Sequence, residues 1–306
     1  MDTQPTNTLF KTTYSKVLLF GEHIVNKGAK ALAIPFNKYR CQLTYDTTMP
    51  NILEDSTEIL FNLLEFIRND VLMRNAFDVD AFENDIKHGL KIAMNIPIGY
   101  GLGSSGALTA ILFDTYVDNK TLELNLLKTQ LGAIESFFHG KSSGLDPLVS
   151  YLNKPILIEE EATKPVVLNQ AVFGTLNIFL INTKKSRKTS TLVNEFLAKA
   201  DSNQDFNKVL TDKIIPLNNQ IIGQITTDDG KPIEDLIKQL SVFQLENFKS
   251  LILEKHLDIW RKGIKSNDFY LKICGAGGGG FMLAFAKDDS KLKEYFSEGD
   301  IILLKK

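Results

Sequence analysis

The chain has 306 residues, 43% of them hydrophobic and 24% charged, with a formal net charge of −2. That balance fits a globular chain with a substantial core and gives no electrostatic case for nucleic acid or an acidic membrane surface. Cys41 and Cys274 form no CxxC motif, which argues against a disulfide framework or zinc site and leaves a reducing cytoplasm as the default compartment. No apolar run approaches the roughly 18–20 residues that span a bilayer. Met1–Asn7 lacks the basic and apolar regions of a signal peptide and reads as a short flexible lead.

In chain order, Tyr14–Phe20 reads as a strand, with Lys16, Leu18 and Phe20 on one face. Ala31–Phe36 and Tyr39–Tyr45 read as two further strands. Ile59–Leu72 is an amphipathic helix, and Leu90–Ile96 returns to strand. Pro97 and the following glycines end that strand. Ser104–Val117 and Leu124–His139 are then helical, with Gly140 placed to end the second. Beyond Asp146 come short strands at Ile156–Ile158 and Leu176–Ile181. A helical stretch follows over Leu192–Ala200, Phe206–Ile225 and Ile233–Trp260. The end is strand, glycine loop, strand: Tyr270–Cys274, Gly275–Gly280 and Phe281–Phe285. The mixed order lacks a regular βαβ alternation and predicts an α+β chain of two domains, 1–165 and 166–306.

Gly101-Leu102-Gly103-Ser104-Ser105-Gly106 lies between a strand and a helix. Such a loop can turn backbone N–H groups toward an anion, with the helix N-terminus adding partial positive charge. The serine hydroxyls can cap the helix, bond a phosphate or ligate Mg²⁺. The same residues match the dinucleotide fingerprint G-x-G-x-x-G, but no acidic residue ends a following strand at the required distance. A capped strand-to-helix turn is the competing structural reading. Gly275-Ala276-Gly277-Gly278-Gly279-Gly280 is more demanding, because five glycines in six residues carry a large ordering cost. That density implies close approach of another backbone or of a ligand.

Glu135 sits at the margin of an apolar helix face, where it can serve as a metal ligand or simply face solvent. Asp146 lies in the turn-rich segment Ser142–Pro147. Lys16 is a charge within an apolar strand, so it is either at an edge or buried with a partner.

Three segments together resemble the GHMP kinase family: Lys16-Val-Leu-Leu-Phe-Gly-Glu-His23, Pro97–Ala107 and Lys272–Phe281. Within it, Gly21-Glu22-His23 and the run from Glu135 through His139-Gly140 to Asp146 are similar to the mevalonate kinase branch. Ser15, Gly106, Pro147 and Cys274 depart from the family's usual residues. The resemblance implies a two-domain GHMP kinase fold with the active site in the cleft between domains. It implies ATP and Mg²⁺, with a small-molecule substrate, no nucleic acid and no membrane; a homodimer is compatible with it.

By the same resemblance, Ser105 and Glu135 would hold the metal. Residues 101–106, with Gly275, Ala276 and Gly277, would bind the nucleotide. Asp146 and Lys16 would be catalytic, Asp146 orienting or deprotonating the acceptor hydroxyl and Lys16 favouring the developing alkoxide. Glu22, His23, Lys184, Arg187 and Thr189 would meet the substrate. Phosphomevalonate kinase, galactokinase and a non-catalytic ATP-binding sensor of the same fold are the alternatives.

Overall fold

The computed structural model describes residues 10–160, 162–186 and 189–305. The elements run β1 (Thr12–Phe20), β2 (Ala31–Thr44), α1 (Ser56–Asn69), α2 (Val79–Lys87), β3 (Lys91–Met94), α3 (Ser104–Tyr116), α4 (Leu124–His139) and α5 (Leu145–Leu152). They continue as β4 (Ile156–Glu159), β5 (Ala162–Pro165), β6 (Asn177–Asn182), α6 (Thr189–Ser202), α7 (Gln204–Val209) and α8 (Ile215–Thr226). Last come α9 (Glu234–Asn247), α10 (Glu254–Ser266), β7 (Phe269–Ile273), β8 (Phe281–Ala286), α11 (Ser290–Lys293) and β9 (Ile301–Lys305). The chain is a mixed α+β protein. It divides into two compact units, one of residues 1–16, 34–97 and 102–154, the other of residues 17–33, 98–101 and 155–306.

In the first unit, β2 pairs antiparallel with β3, Cys41 lying opposite Met94. The organising element is α3. Ala107, Leu108, Ala110, Ile111, Leu112 and Phe113 are all buried, so nearly every side of the helix faces protein. It packs on α5, α4 and α2. At its start Thr13 of β1 donates to the Ala107 carbonyl at 2.7 Å.

In the second unit the four-stranded antiparallel sheet has the order β7-β8-β6-β9. Every residue of β7 and β8 is buried, as expected of strands covered on both faces. α9 and α10 pack on β7. Trp260 of α10 is fully buried and donates its indole N–H to Ser241 Oγ at 2.8 Å, which satisfies the one polar atom it brings into the core.

Three sequence expectations shift. The strands expected at Ala31–Phe36 and Tyr39–Tyr45 are one strand, β2. The exposed Asn37 and Lys38 break the apolar alternation but not the backbone. The helix expected over Ile233–Trp260 breaks at Phe248–Leu253 into α9, a 3₁₀ turn at Lys249–Leu251 and α10. Phe248, Leu251 and Ile252 are buried and carry the apolar pattern across the break, while the exposed Lys249 and Ser250 read as an ordinary solvent face, and no glycine or proline marks the turn. Helix α5 begins inside the segment that reads as turn, because Gly144 and Pro147 mask its start.

Candidate active site

The first glycine loop is held by its neighbour strand. The Lys16 amide donates to the Leu102 carbonyl at 2.9 Å. Gly103 has φ 73°, and a Cβ there would sit 2.9 Å from Lys16 Cγ. Both facts demand glycine: the left-handed conformation and the lysine stem lying over the loop. Gly103 also occupies the N-cap of α3, and no side chain caps that helix, so neither Ser104 nor Ser105 has the capping role.

The Lys16 stem is buried, which resolves the charge in an apolar strand. Its ammonium reaches Asp146 Oδ2 at 3.0 Å, with the lysine side chain 8% and the aspartate side chain 34% exposed. Asp146 lies in the first turn of α5, where a carboxylate complements the helix dipole. Pro147 follows it in the same turn, where a missing N–H forfeits no intrahelical bond. A Cβ on Gly106 of α3 would fall 2.8 Å from the Asp146 carbonyl carbon and 2.9 Å from Pro147 N. Gly106 therefore lets α3 and α5 approach closely enough to hold Asp146 at the loop.

Ser105 projects from α3 toward α4. Its hydroxyl lies 3.1 Å from Glu135 Oε1 and 2.9 Å from His139 Nε2. Glu135 is 3% exposed and accepts a second hydrogen bond from Ser142 Oγ. Burial pushes its carboxyl up to about 7, and the neighbouring Asp146 charge pushes the same way. The two serine hydroxyls and Lys16 pull against that. Lys16, Ser105, Glu135 and Asp146 thus form one constellation. His139, which the sequence reading noted in the run to Asp146 but gave no role of its own, joins it; its spacing of four from Glu135, one helical turn on the same face of α4, is the signal that could have assigned one.

In the second unit the Gly21–His23 turn meets the second glycine loop. Glu22, 4% exposed, forms an ion pair with Lys272, which is 2% exposed. His23 Nε2 donates to the Ala276 carbonyl at 3.1 Å, and the ring stacks on Phe196 at 4.6 Å between centroids. Three of the glycines of 275–280 are accounted for by protein backbone. A Cβ would come within 2.6 Å of the Leu251 carbonyl oxygen at Gly277, 2.5 Å of that of Lys185 at Gly279 and 2.5 Å of that of Tyr100 at Gly280. The Gly278 amide donates to the Leu251 carbonyl and the Gly280 amide to the Lys185 carbonyl, both at 2.6 Å.

Lys184 points its ammonium to Asp300 at 2.7 Å with its side chain 62% exposed. Arg187 lies outside the described residues, as does the Thr189 side chain.

Residues 66–154 match the family described as GHMP kinases N terminal domain, and residues 221–298 match GHMP kinases C terminal. Together the two matches span more than half of the chain, and it belongs to the GHMP kinase family. Among curated relatives, a mevalonate kinase of Dictyostelium discoideum is 25% identical over 68% of this chain and 60% of its own. One of Aspergillus fumigatus is 28% identical over 64% of this chain and 41% of its own. The chain thus spans less than two thirds of the length of these two relatives. A mevalonate kinase of Methanocaldococcus jannaschii is 26% identical over 94% of both chains.

Among solved structures, L. major mevalonate kinase in complex with R-mevalonate superposes with a TM-score of 0.62 at 17% identity, covering 94% of this chain and 90% of that one. A second mevalonate kinase gives 0.64 at 22%, covering 98% and 100%. Streptococcus pneumoniae phosphomevalonate kinase, bound to phosphomevalonate and AMPPNP, gives 0.63 at 18%, covering 96% and 98%. These likenesses show the fold.

Proposed function

We propose that the chain transfers the γ-phosphoryl group of ATP to a small-molecule hydroxyl, and that the acceptor is mevalonate, giving 5-phosphomevalonate. The observation that carries the reading is the Lys16–Asp146 pair at 3.0 Å beside the Ser105–Glu135 contact. Phosphoryl transfer needs an acceptor oxygen that can lose its proton and groups that neutralise the phosphate charge. The Asp146 carboxylate takes the acceptor's proton as the new P–O bond forms and the bond to ADP breaks. The Lys16 ammonium stabilises the alkoxide character that develops on the oxygen. The amides of residues 101–106 are the proposed phosphate cradle.

The residues present fit Mg²⁺. Glu135 is a buried carboxylate whose proton affinity is raised to about 7 by burial and by Asp146, the setting a divalent cation relieves. Ser105 Oγ offers a second hard oxygen. Among the described residues no group of three or more His, Cys, Asp or Glu could hold a metal, so phosphate oxygens and water would complete the shell. When bound, the ion would neutralise phosphate charge and align the transferred group.

Mevalonate is favoured over the other acceptors by the three curated relatives described above, each named a mevalonate kinase. Coupled ADP release measured over mevalonate, phosphomevalonate, galactose and homoserine tests the reading. Turnover with mevalonate at least about tenfold above the others in kcat/KM is expected. Preference for phosphomevalonate would transfer the proposal to that acceptor, and ATP binding with no acceptor turned over would leave a sensor.

A further inference from the structure

Glu22 and Lys272 bury opposite charges where apolar side chains would serve stability at least as well, since the desolvation of a buried ion pair offsets its attraction. Their placement has a different consequence. Lys272 is the fourth residue of β7, directly before the strand turns into the second glycine loop. Its ammonium holds the Glu22 carboxylate, donates to the Ile273 carbonyl at 2.9 Å and lies 5.3 Å from the Phe20 ring centroid. The next residue of the turn, His23, is bonded to Ala276 within that loop and has φ 62°, a conformation rare for a residue with a Cβ. The Gly21–His23 turn and residues 272–276 are thus fastened at two successive points. The loop needs an outside reference: its glycines confer little stiffness of their own.

Glu22, expected from the resemblance to meet the substrate, is buried with its carboxylate on Lys272, and we infer that the two are a positioning pair instead, which sets the second glycine loop against the Gly21–His23 turn without either charge touching substrate. The kinetic arm of its test rests on the proposed kinase reading, whereas the exchange arm does not.

The experiment uses the full chain and the double variant Glu22→Leu/Lys272→Met, which removes both charges together. Three measurements are made: melting temperature, amide hydrogen exchange over residues 275–280, and ADP-release kinetics. The double variant is expected to melt within a few degrees of the parent. Exchange over 275–280 should accelerate by at least about tenfold, and KM for ATP should rise by a similar factor while kcat changes less than about threefold. Parental exchange together with parental KM in the folded double variant overturns the inference. If the double variant fails to fold, Glu22→Asp decides by the same two readouts, because it keeps the charge but withdraws the carboxylate from the ammonium. If the parent turns over no acceptor, the kinase reading falls, and exchange alone decides for or against the pair.

Discussion

At the scale of single residues, Glu135 carries the most specific expectation. A carboxyl held at about 7 in the folded chain and near 4.5 unfolded keeps its proton longer when folded. In the window between those values the folded state binds more protons, so its contribution to stability is full below about 4.5 and is lost as pH rises through about 7. The difference corresponds to something on the order of 3 kcal/mol. Denaturant titrations of the protein without added cation or nucleotide should show the loss, and Glu135→Gln should flatten it. The same substitution should raise the Mg²⁺ concentration needed for half-maximal ADP release; an unchanged metal titration removes Glu135 from the metal. Asp146→Asn and Lys16→Met should each cut kcat by at least about a hundredfold while ATP still binds. Near-parental turnover in both would remove the proton-transfer scheme. These residues were legible as charges out of place: a lysine in an apolar strand, a glutamate at the edge of an apolar stripe. His139 was legible only as part of a run, and its contact was not, because an exposed histidine at a helix end has an ordinary look until Ser105 is seen 2.9 Å away.

At the scale of elements, the contact between α3 and α5 decides where Asp146 stands. Gly106→Ala adds a methyl where the α5 backbone already lies within 2.8 Å. The gain in helix propensity is outweighed by overpacking, and a net cost of about 1–3 kcal/mol in thermal or denaturant unfolding is expected. Displacement of Asp146 should lower kcat along with it. Sequence alone presented Gly106 as the end of the first glycine loop, and both Gly106 and Pro147 as departures from a pattern. The structure joins them, since the one omits a side chain and the other omits an N–H at the same junction. The elements that escaped the sequence reading escaped for physical reasons of the same kind. α5 starts at residues that usually make turns. The α9–α10 break holds no glycine or proline to mark it, yet it frees the Leu251 carbonyl that receives the Gly278 amide.

At the scale of the whole molecule, both thiols are enclosed. Cys41 and Cys274 are buried and not disulfide-linked, and burial pushes the Cys41 thiol up to about 12. Native protein should leave both unmodified by a thiol reagent at neutral pH, and denaturant should expose two per chain, so alkylation reports global unfolding. Early modification of Cys274 alone would mark local opening beside the second glycine loop. Among the described residues no helix is long and apolar enough to cross a membrane. The α+β class was legible from element order. The pairing in the second sheet was not, because hydrophobic runs such as Leu176–Ile181 do not specify which distant run lies beside them.

The order β7-β8-β6-β9 also sets a timetable for assembly. Strand β6 ends at Asn182, but its partners begin only at Phe281 and Ile301. During synthesis β6 must wait with both edges bare while the helical stretch and β7 are made. The Thr183–Gly280 bonds that close the glycine loop must wait through the same interval. Such non-local closure is slow and leaves apolar strand edges open to mispairing. A nascent chain stalled before Phe281 should therefore be held by chaperones and degraded readily. The second glycine loop thus takes its closed form only once Phe281 and the strand it begins are available to β6.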